Sequence, residues 1–365
     1  MNDKIGFIGL GLIGGSIAKA IRAVNPNVDM IAYDIDSSAI LQAVSEGVIS
    51  RIATAIDDQF ADRDLIFLCA PVSSNDENLL TLKTHLSKDA ILTDVGSVKA
   101  DIHAHIAQAG LNAQFIGGHP MAGSERTGYR NSKEKLLENA YYILTPTNEV
   151  SVAKVHAMQQ LVESIGAIPL IMPSDEHDFC TAGVSHVPHI ISALLVHLVR
   201  GNDDANGTMK MIAAGGFKDI TRISSSSATM WEHICMTNRK HILTLLDQYL
   251  QDLQAIRDKI DAGDATAIHH FFEQARIYRD SFAEAGSGPI KKSYVLHIDI
   301  PDKTGALASI VSLLAGQKIS IKNIGITHNR EDESGSLRLE LYEETDIPKA
   351  KSLLEHAGFN VSATI

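Results

Sequence analysis

The sequence is poor in cysteine and in positive charge, and each shortage excludes a class of protein. The three cysteines among 365 residues lack Cys-x-x-Cys spacing, so we expect no disulfide framework and favour a reducing, cytoplasmic compartment. The formal net charge of −12 argues against nucleic acid or an anionic membrane as the main partner. We identify no signal peptide, and no apolar run reaches the roughly 20 residues needed to cross a bilayer. A few local cations could still bind an anionic small substrate.

What the sequence does contain is an alternation of short apolar runs and helical patterns in its first part. At this length we expect two or three domains. The runs that indicate strands are 5–8, 30–33, 65–70, 91–93, 115–117 and 141–144. Because helix-length segments separate several of them, we predict a parallel sheet with helices on both faces. This predicts an α/β Rossmann-type dinucleotide-binding domain over residues 1–172.

Two further domains are predicted after the first. Residues 173–286 contain long helical patterns, such as 190–200 and 240–260, and no convincing strand pair. We predict an all-helical dimerisation domain, because apolar helix stripes that one chain cannot bury commonly pack against a second subunit. A Gly/Ser/Pro stretch at 285–289 then indicates a linker. Residues 292–365 follow a βαββαβ order, which is typical of a ferredoxin-like unit.

A glycine-rich turn follows the first predicted strand and opens the first helix. Gly9 permits a tight turn, Gly11 lets the backbone approach a pyrophosphate, and Gly14 lets the helix pack closely on the strand. The free N–H groups at the helix start, which include Leu12 and Ile13, would face the phosphates. The pattern therefore predicts a dinucleotide site.

An acidic residue at the end of the second strand indicates which dinucleotide binds. A carboxylate at Asp34 can accept hydrogen bonds from both ribose hydroxyls of NAD and would repel the extra phosphate of NADP. Asp36 is a second candidate, but it lies past the strand end. We therefore predict NAD as the cofactor, held in part by Asp34.

Two polar clusters directly follow predicted strands, at 94–99 and 117–125. Ligands of doubly wound sheets lie beyond the carboxyl ends of the strands, so we expect Ser97 and His119 near the nicotinamide. A dehydrogenase must remove a hydroxyl proton as hydride leaves the same carbon, and histidine, with an ordinary pKa of about 6.5, suits this task. His119 is the predicted base, and Ser97 could bind the same hydroxyl.

The helical region offers a second group of polar side chains. His186 and His189 are three residues apart and would share a helix face. Arg222 could bind a carboxylate through both arms of its guanidinium, with Lys218 as a nearby point charge. Histidines at this spacing could bind a metal, but no His-Glu-x-x-His pattern is present and hydride transfer to NAD needs none. We expect no metal site.

Taken together, these motifs resemble the prephenate dehydrogenase family, specifically its bacterial type with a C-terminal ACT domain. The resemblance covers nearly the whole chain and follows the family's order of motifs: 9–14, 94–99, 119–125, 185–189 and 215–225 with Trp231. It implies NAD-dependent oxidative decarboxylation of prephenate to 4-hydroxyphenylpyruvate in tyrosine biosynthesis. It also implies that His119 takes the proton of the ring hydroxyl and that Ser97 binds this hydroxyl.

The resemblance further implies a substrate side of the site and a regulatory site. Arg222 resembles the family's carboxylate-binding arginine, and the other expected substrate-binding residues are His186, His189, Lys218 and Ser124. In the tail, the segments 300–308 and 319–326 resemble an ACT domain, for which tyrosine is the expected effector. The positions expected to bind it are Asp302, Gly305, Ala306 and Asn323. An oligomerisation module without a ligand is the alternative.

Three other functions remain open. An arogenate dehydrogenase would use the same chemistry on a substrate with an ammonium in place of the keto group, and no residue decides between the two. The β-hydroxyacid dehydrogenases resemble one another in a catalytic Lys on the first helix of the second domain. Residues 182–198 contain no Lys, which counts against this function. A non-catalytic amino-acid sensor on the same scaffold would be expected to lack His119, Ser97 or the glycine turn, and all are intact.

Overall fold

The computed structural model describes residues 4–123, 126–282, 294–301, 305–328 and 334–364. The chain divides into two compact units, Met1–Asp264 and Ala265–Ile365. The first unit contains the sheet and most of the helical region, and the second contains the last helix of that region with the C-terminal strands. The domain boundaries at 172, 286 and 292 remain predictions.

The first part of the first unit alternates strands and helices, as predicted. Its strands are β1 Lys4–Ile8, β2 Asp29–Tyr33, β3 Arg51–Ile52, β4 Leu65–Leu68, β5 Ile91–Asp94, β6 Phe115–Pro120, β7 Tyr141–Pro146 and β8 Ile168–Ile171. Its helices are α1 Leu12–Val24, α2 Ser37–Ser45, α3 Val72–Leu82, α4 Ala100–Ala109 and α5 Val152–Ser164. The described strands form one sheet in the order β3-β2-β1-β4-β5-β6-β7-β8. The Rossmann-type alternation is therefore confirmed.

The sheet departs from the predicted parallel arrangement at one pair of strands. β7 runs antiparallel to β6, whereas the other neighbouring pairs are parallel. The described residues between β6 and β7 contain a short 3₁₀ turn, Tyr129–Asn131, and no α-helix. A parallel return needs a long crossover, usually helical, so this connection brings the chain back in the opposite direction. The carboxyl ends of β5 and β6 still meet at one edge.

Two apolar clusters hold the helices on opposite faces of the sheet. Successive residues of β1 point to opposite faces, so Phe7 belongs to one cluster and Ile8 to the other. The first cluster packs α1, α2 and α5, and the second packs α3 and α4. This three-layer arrangement leaves the strand ends free for ligands.

The second part of the first unit is helical, as predicted. Its helices are α6 Ser174–Thr181, α7 Val187–Asn202, α8 Thr208–Ile212, α9 Gly215–Thr221, α10 Ala228–Thr237 and α11 Arg239–Asp261. A π-helical turn, Ala182–His186, joins α6 to α7 without a break. Such turns insert a residue into a helix and are frequent at functional sites.

The joined helix Ser174–Asn202 corrects one expectation from the sequence. Its 29 residues are long and apolar enough, by length and composition alone, to cross a membrane. No apolar run of this length had been identified from the sequence. Pro188 is the second residue of α7, directly after the π-helical turn, and the helix continues through it. Core helices of soluble proteins pass the same test, and this one carries the buried polar residues His177, Asp178 and His186.

The second unit has the predicted βαββαβ order after an initial helix. Its elements are α12 Ala265–Ser281, β9 Tyr294–Pro301, α13 Ala306–Gly316, β10 Ile321–His328, β11 Ser334–Leu341, α14 Asp346–His356 and β12 Asn360–Thr364. The four described strands form an antiparallel sheet in the order β10-β11-β9-β12. Its core combines alternate residues of β9 and β11 with one face of α13 and α14. The predicted linker at 285–289 lies outside the described residues.

Three of the four positions that were expected to bind an effector, Gly305, Ala306 and Asn323, lie at the start of α13 and on β10. Gly305 has φ +90°, a left-handed conformation that favours glycine, and it caps α13, which begins at Ala306. Asn323 is exposed on β10, where its Oδ1 accepts a hydrogen bond from the N–H of Ile324 at 2.9 Å. Asp302 lies outside the described residues.

A buried ion pair connects the ends of β5 and β6. The side chain of Lys99 is fully buried and that of Asp94 is 4% exposed, and Nζ lies 2.5 Å from Oδ2. Lys99 Nζ also donates to the carbonyl of Gly118 at 2.7 Å, and the N–H of Gly118 donates to Asp94 Oδ1 at 3.0 Å. A Cβ at Gly118 would lie 2.5 Å from the carbonyl oxygen of Asp94, so only glycine allows this approach. We call Asp94, Lys99 and Gly118 the strand clamp.

We expect Lys99→Met to lower the free energy of unfolding by about 3–5 kcal/mol, because it leaves the carboxylate of Asp94 buried without its cation. Urea denaturation measures the change. The matched control is Lys240→Met, since Lys240 and Asp175 form an exposed pair whose loss should cost about 1 kcal/mol or less. Equal effects of the two substitutions would show that the clamp contributes little stability.

Candidate active site

The glycine turn between β1 and α1 has the geometry of a dinucleotide site. Gly9 has φ +91°, and a Cβ there would collide with the backbone of Ala70. A Cβ at Gly14 would lie 2.8 Å from the carbonyl oxygen of Gly9, so this glycine permits the close packing of helix on strand. At Gly11 a Cβ would meet no atom of the described residues within 4 Å, which leaves open space at the helix start. The turn therefore fits the pyrophosphate of a dinucleotide.

Asp34 lies half-buried directly after β2 and faces the same turn. Its Oδ2 accepts a hydrogen bond from the N–H of Leu10 at 2.5 Å, and its Oδ1 accepts one from the N–H of Asp36 at 2.8 Å. Asp36 instead caps α2, accepting hydrogen bonds from the backbone and hydroxyl of Ser38. Of the two candidate carboxylates, Asp34 is the one that contacts the glycine turn.

His119 lies at the carboxyl end of β6, next to the strand clamp, and is bonded to a second histidine. Its Nδ1 lies 2.8 Å from Nε2 of His177, which belongs to α6. Nδ1 of His177 lies 2.7 Å from Oδ1 of Asp178. Both residues of α6 are fully buried, whereas His119 is partly exposed. Since His177 engages Nδ1 of His119, Nε2 is the nitrogen left to face a substrate.

The surroundings of His119 disfavour its cationic form. Burial of the imidazole is the main cause that lowers the pKa of His119 well below 6.5, and His177, Lys99 and His186 lower it further. At neutral pH the imidazole is therefore uncharged, which is the form that a proton acceptor requires.

Ser97 lines a cavity of about 350 Å³ between the strand ends and α10. The wall of the cavity also includes Ala70, Asp94, Met230 and His233. Ala70 borders the glycine turn, so the cavity begins beside the dinucleotide site. The position agrees with a ligand at this edge of the sheet, while contact of Ser97 with a substrate hydroxyl stays a prediction.

His186 and His189 lie on one helix face, as the sequence suggested, and both contact Trp231. The ring of His189 stacks on the indole at 3.9 Å between centroids, and His186 meets it edge-on at 6.0 Å. His186 is buried, and this burial lowers its pKa to about 4. The indole Nε1 of Trp231 is also buried, and no partner for it occurs among the described residues.

The other predicted substrate-binding residues are less enclosed. Lys218 on α9 and Arg222 directly after it are exposed in the single chain. Ser124 lies outside the described residues. Within the described part of the chain, no three His, Cys, Asp or Glu side chains converge in a way that could hold a metal ion.

Sequence reasoning missed the residues that support His119. His177 and Asp178 were not among the predicted site residues, and Asp94 and Lys99 were seen only as part of the polar run 94–99. Asn238 was not noted at all, although its Nδ2 lies 2.7 Å from the carbonyl oxygen of Asp178 and 3.1 Å from Nδ1 of His186. The run Asp175-Glu-His177-Asp178 at the start of α6 was a usable signal, but the partner of His177 is 58 residues away in the chain.

Comparison with protein families matches most of the chain. A model described as "Prephenate dehydrogenase, nucleotide-binding domain" matches residues 17–169, and one described as "Prephenate dehydrogenase, dimerization domain" matches residues 173–274. The first match begins after the glycine turn and includes Ser97 and His119. The second includes His177, His186 and Arg222.

Individual relatives agree with the family match. The prephenate dehydrogenase of Bacillus subtilis (strain 168) is 36% identical over 360 residues, which is 97% of this chain and 96% of the relative. The crystal structure of A. aeolicus prephenate dehydrogenase with hydroxyphenyl propionate and NAD⁺ superposes with TM-score 0.71 at 29% identity, covering 76% of this chain and 97% of that one. Synechocystis arogenate dehydrogenase gives TM-score 0.70 at 30% identity, covering 76% and 99%. The chain therefore belongs to the prephenate dehydrogenase family and is an NAD-dependent dehydrogenase.

Proposed function

We propose that this enzyme oxidatively decarboxylates prephenate to 4-hydroxyphenylpyruvate and CO₂ in tyrosine biosynthesis. The observation that carries the proposal is the uncharged His119 at the end of β6. Its Nδ1 is hydrogen-bonded to His177, and its Nε2 is left for a substrate hydroxyl. The relative from Bacillus subtilis, which aligns with nearly the whole chain, carries this name and supports the substrate.

The cofactor site is assigned to the glycine turn and to Asp34. Gly9, Gly11 and Gly14 allow the close approach of a pyrophosphate, and the N–H groups of Leu12 and Ile13 at the start of α1 bind it. Asp34 accepts hydrogen bonds from the ribose hydroxyls, which suits NAD rather than NADP. When bound, NAD⁺ supplies the acceptor for the hydride that the substrate loses.

His119 and Ser97 act on the ring hydroxyl of the substrate. Nε2 of His119 takes the hydroxyl proton as the carbon beneath it is oxidised, and Ser97 hydrogen-bonds to the same oxygen. The carbonyl that forms opposite the ring carboxylate then accepts electrons as CO₂ leaves, and the ring becomes aromatic. His119 returns its proton to the phenolate oxygen, so no proton is gained or lost overall.

Prephenate carries two carboxylates, and the helical region supplies the groups that bind them. Arg222 binds a carboxylate through its guanidinium, with Lys218 as a second cation. His186 and His189 hydrogen-bond to the substrate beside Trp231. Ser124 completes the proposed set. Together these residues hold the dianion so that its hydroxyl meets His119.

Arogenate is the alternative substrate. The Synechocystis arogenate dehydrogenase has a similar structure and nearly the same identity to this chain as the prephenate dehydrogenase of A. aeolicus. Arogenate differs from prephenate in an ammonium that replaces the keto group, and the oxidised ring is the same. The chemistry at His119 and Ser97 therefore serves either substrate.

We further propose that residues 292–365 form an ACT domain that binds tyrosine. The βαββαβ order and the left-handed Gly305 before α13 support this interpretation. Asp302, Ala306 and Asn323 complete the proposed effector site. The alternative is a module for oligomerisation alone.

The proposed assembly is a cytoplasmic homodimer formed through residues 173–286. The match to a dimerization domain over residues 173–274 supports it. Large apolar side chains are exposed in the single chain on α7, α8 and α11, and a second subunit would cover them. They include Leu194, Leu198, Met211, Ile212, Leu250 and Leu253.

The first test follows NADH absorbance with prephenate or arogenate, NAD⁺ or NADP⁺, and tyrosine added to half of the samples. We expect turnover with prephenate and NAD⁺ that tyrosine suppresses. Turnover with arogenate alone would mean that arogenate, and not prephenate, is the substrate. If tyrosine has no effect, residues 292–365 are better explained as a module for oligomerisation alone. No turnover in any sample would contradict the proposed function.

We expect His119→Asn to lower kcat by about 10²–10⁴-fold, because the hydroxyl proton loses its acceptor. NAD⁺ affinity, measured by fluorescence titration, should stay within about twofold, since the asparagine does not reach the glycine turn. His156→Asn, an exposed histidine on α5, is the matched control and should change neither value. Weakened NAD⁺ binding with retained turnover would contradict the role of His119.

The pH dependence of kcat/KM should reflect the lowered pKa of His119. The base works in its neutral form, so activity is lost only when the pH falls through the pKa of His119 in the free enzyme. Burial, with His177, Lys99 and His186 around it, lowers that pKa well below 6.5. We expect the midpoint of the acidic limb below pH 6.5. A midpoint at or above 6.5 would mean that another group controls this limb.

A further inference from the structure

Two fully buried residues of α6, His177 and Asp178, have no role in the reaction as proposed so far. They come from the helical region, yet His177 hydrogen-bonds to His119 on the sheet and Asp178 hydrogen-bonds to His177. A hydrogen-bonded series that leads from a partly exposed base to a buried carboxylate is costly to bury unless each buried polar atom has a partner. His177 and Asp178 meet this condition, because both ring nitrogens and both carboxylate oxygens are hydrogen-bonded.

Asp178 is the fixed end of this hydrogen-bonded series. Its Oδ1 accepts a hydrogen bond from the backbone N–H of Lys99 at 2.8 Å, and its Oδ2 accepts one from the N–H of Ala100 at 2.8 Å. These N–H groups belong to the N-cap residue and the first residue of α4, which has no capping side chain of its own. Asp178 therefore caps α4 from the helical region, and the helix start holds its carboxylate in position.

The carboxylate determines which nitrogens of the two histidines carry protons. A carboxylate only accepts, so Nδ1 of His177 is a donor to Asp178. Nε2 of a neutral His177 must then accept, and Nδ1 of His119 is its donor at 2.8 Å. A neutral His119 consequently keeps its lone pair on Nε2, the nitrogen that faces the substrate.

We propose that His177 and Asp178 are positioning residues that hold His119 in its Nδ1–H tautomer and share the proton that His119 accepts. The inference rests on the proposed role of His119 as base. When Nε2 of His119 takes the hydroxyl proton, the Nδ1 proton of His119 passes to Nε2 of His177. The positive charge then lies beside the carboxylate of Asp178, and both transfers reverse when the phenolate forms.

The charges around the two rings favour this direction. Lys99 and His186 face His119 and disfavour a positive charge there, in addition to burial. His177 is in direct contact with Asp178. Moving the charge by one ring therefore takes it away from Lys99 and next to a carboxylate.

Asp178→Asn tests the proposal because it reverses the direction of the hydrogen bonds from His119 to His177 and from His177 to residue 178. The amide can donate to Nδ1 of His177, whose Nε2 then carries the proton and donates to Nδ1 of His119. His119 would present an N–H to the substrate hydroxyl in place of a lone pair. We expect kcat to fall by about 10²-fold or more, with NADH affinity within about twofold of the wild type.

The matched control is Asp175→Asn, which removes the same charge from an exposed carboxylate of the same helix. It should leave kcat within about twofold. ¹⁵N NMR of histidine-labelled enzyme, assigned with His119→Asn and His177→Asn, provides the readout that a structural role would not move. Nδ1 of His119 should carry the proton in the wild type and Nε2 in Asp178→Asn.

Two outcomes would overturn the proposal. One is an Asp178→Asn enzyme that keeps kcat within about threefold of the wild type. The other is a wild-type spectrum with the proton of neutral His119 on Nε2, which decides the question even if Asp178→Asn does not fold. Failure of the proposed function differs, because it would appear as absent wild-type turnover or as unchanged kcat in His119→Asn.

Discussion

The buried ion pair between Asp94 and Lys99 determines how the ends of β5 and β6 lie relative to each other. A carboxylate and an ammonium without solvent are tolerated only when each has its partner and further hydrogen bonds. Gly118 supplies one bond to each through its N–H and its carbonyl. His119 is the next residue, so the candidate base takes its position from this pair. The backbone N–H of Lys99 also binds Asp178, which connects the same point to the helical region.

Burial has a second consequence at this site, because it controls the charge of the histidines. It lowers the pKa of both His119 and His186, so both are neutral at pH 7. A neutral His119 can accept a proton, and a neutral His186 can bond to Asn238 without placing a charge in the interior. Asp94 is paired with Lys99, and the carboxylate of Asp178 is held by two backbone N–H groups and His177, so each buried carboxylate of the site has hydrogen-bond partners.

The two compact units show how much of the fold can be predicted from local sequence patterns. Alternating apolar residues and helical periodicity were enough for six of the eight described strands of the first sheet, for the helical region and for the βαββαβ order of the second unit; β3 and β8 were not predicted. The antiparallel β7 was missed because strand direction depends on whether a helix crosses between strands, which residues 121–140 do not reveal. The continuous helix Ser174–Asn202 was missed because the sequence does not reveal the π-helical turn Ala182–His186 that joins α6 to α7.

The sequence by itself determined the nucleotide turn, the position of Asp34, and the strand-end placement of Ser97 and His119, since these features follow from short spacings next to one strand. The membership in the prephenate dehydrogenase family likewise followed from motifs in order along the chain. Only the tertiary structure decided that His177 and Asp178 support His119. Their contacts span 58 and 79 residues, and hydrogen bonds at such separations depend on how the helices pack on the sheet, which no local pattern contains.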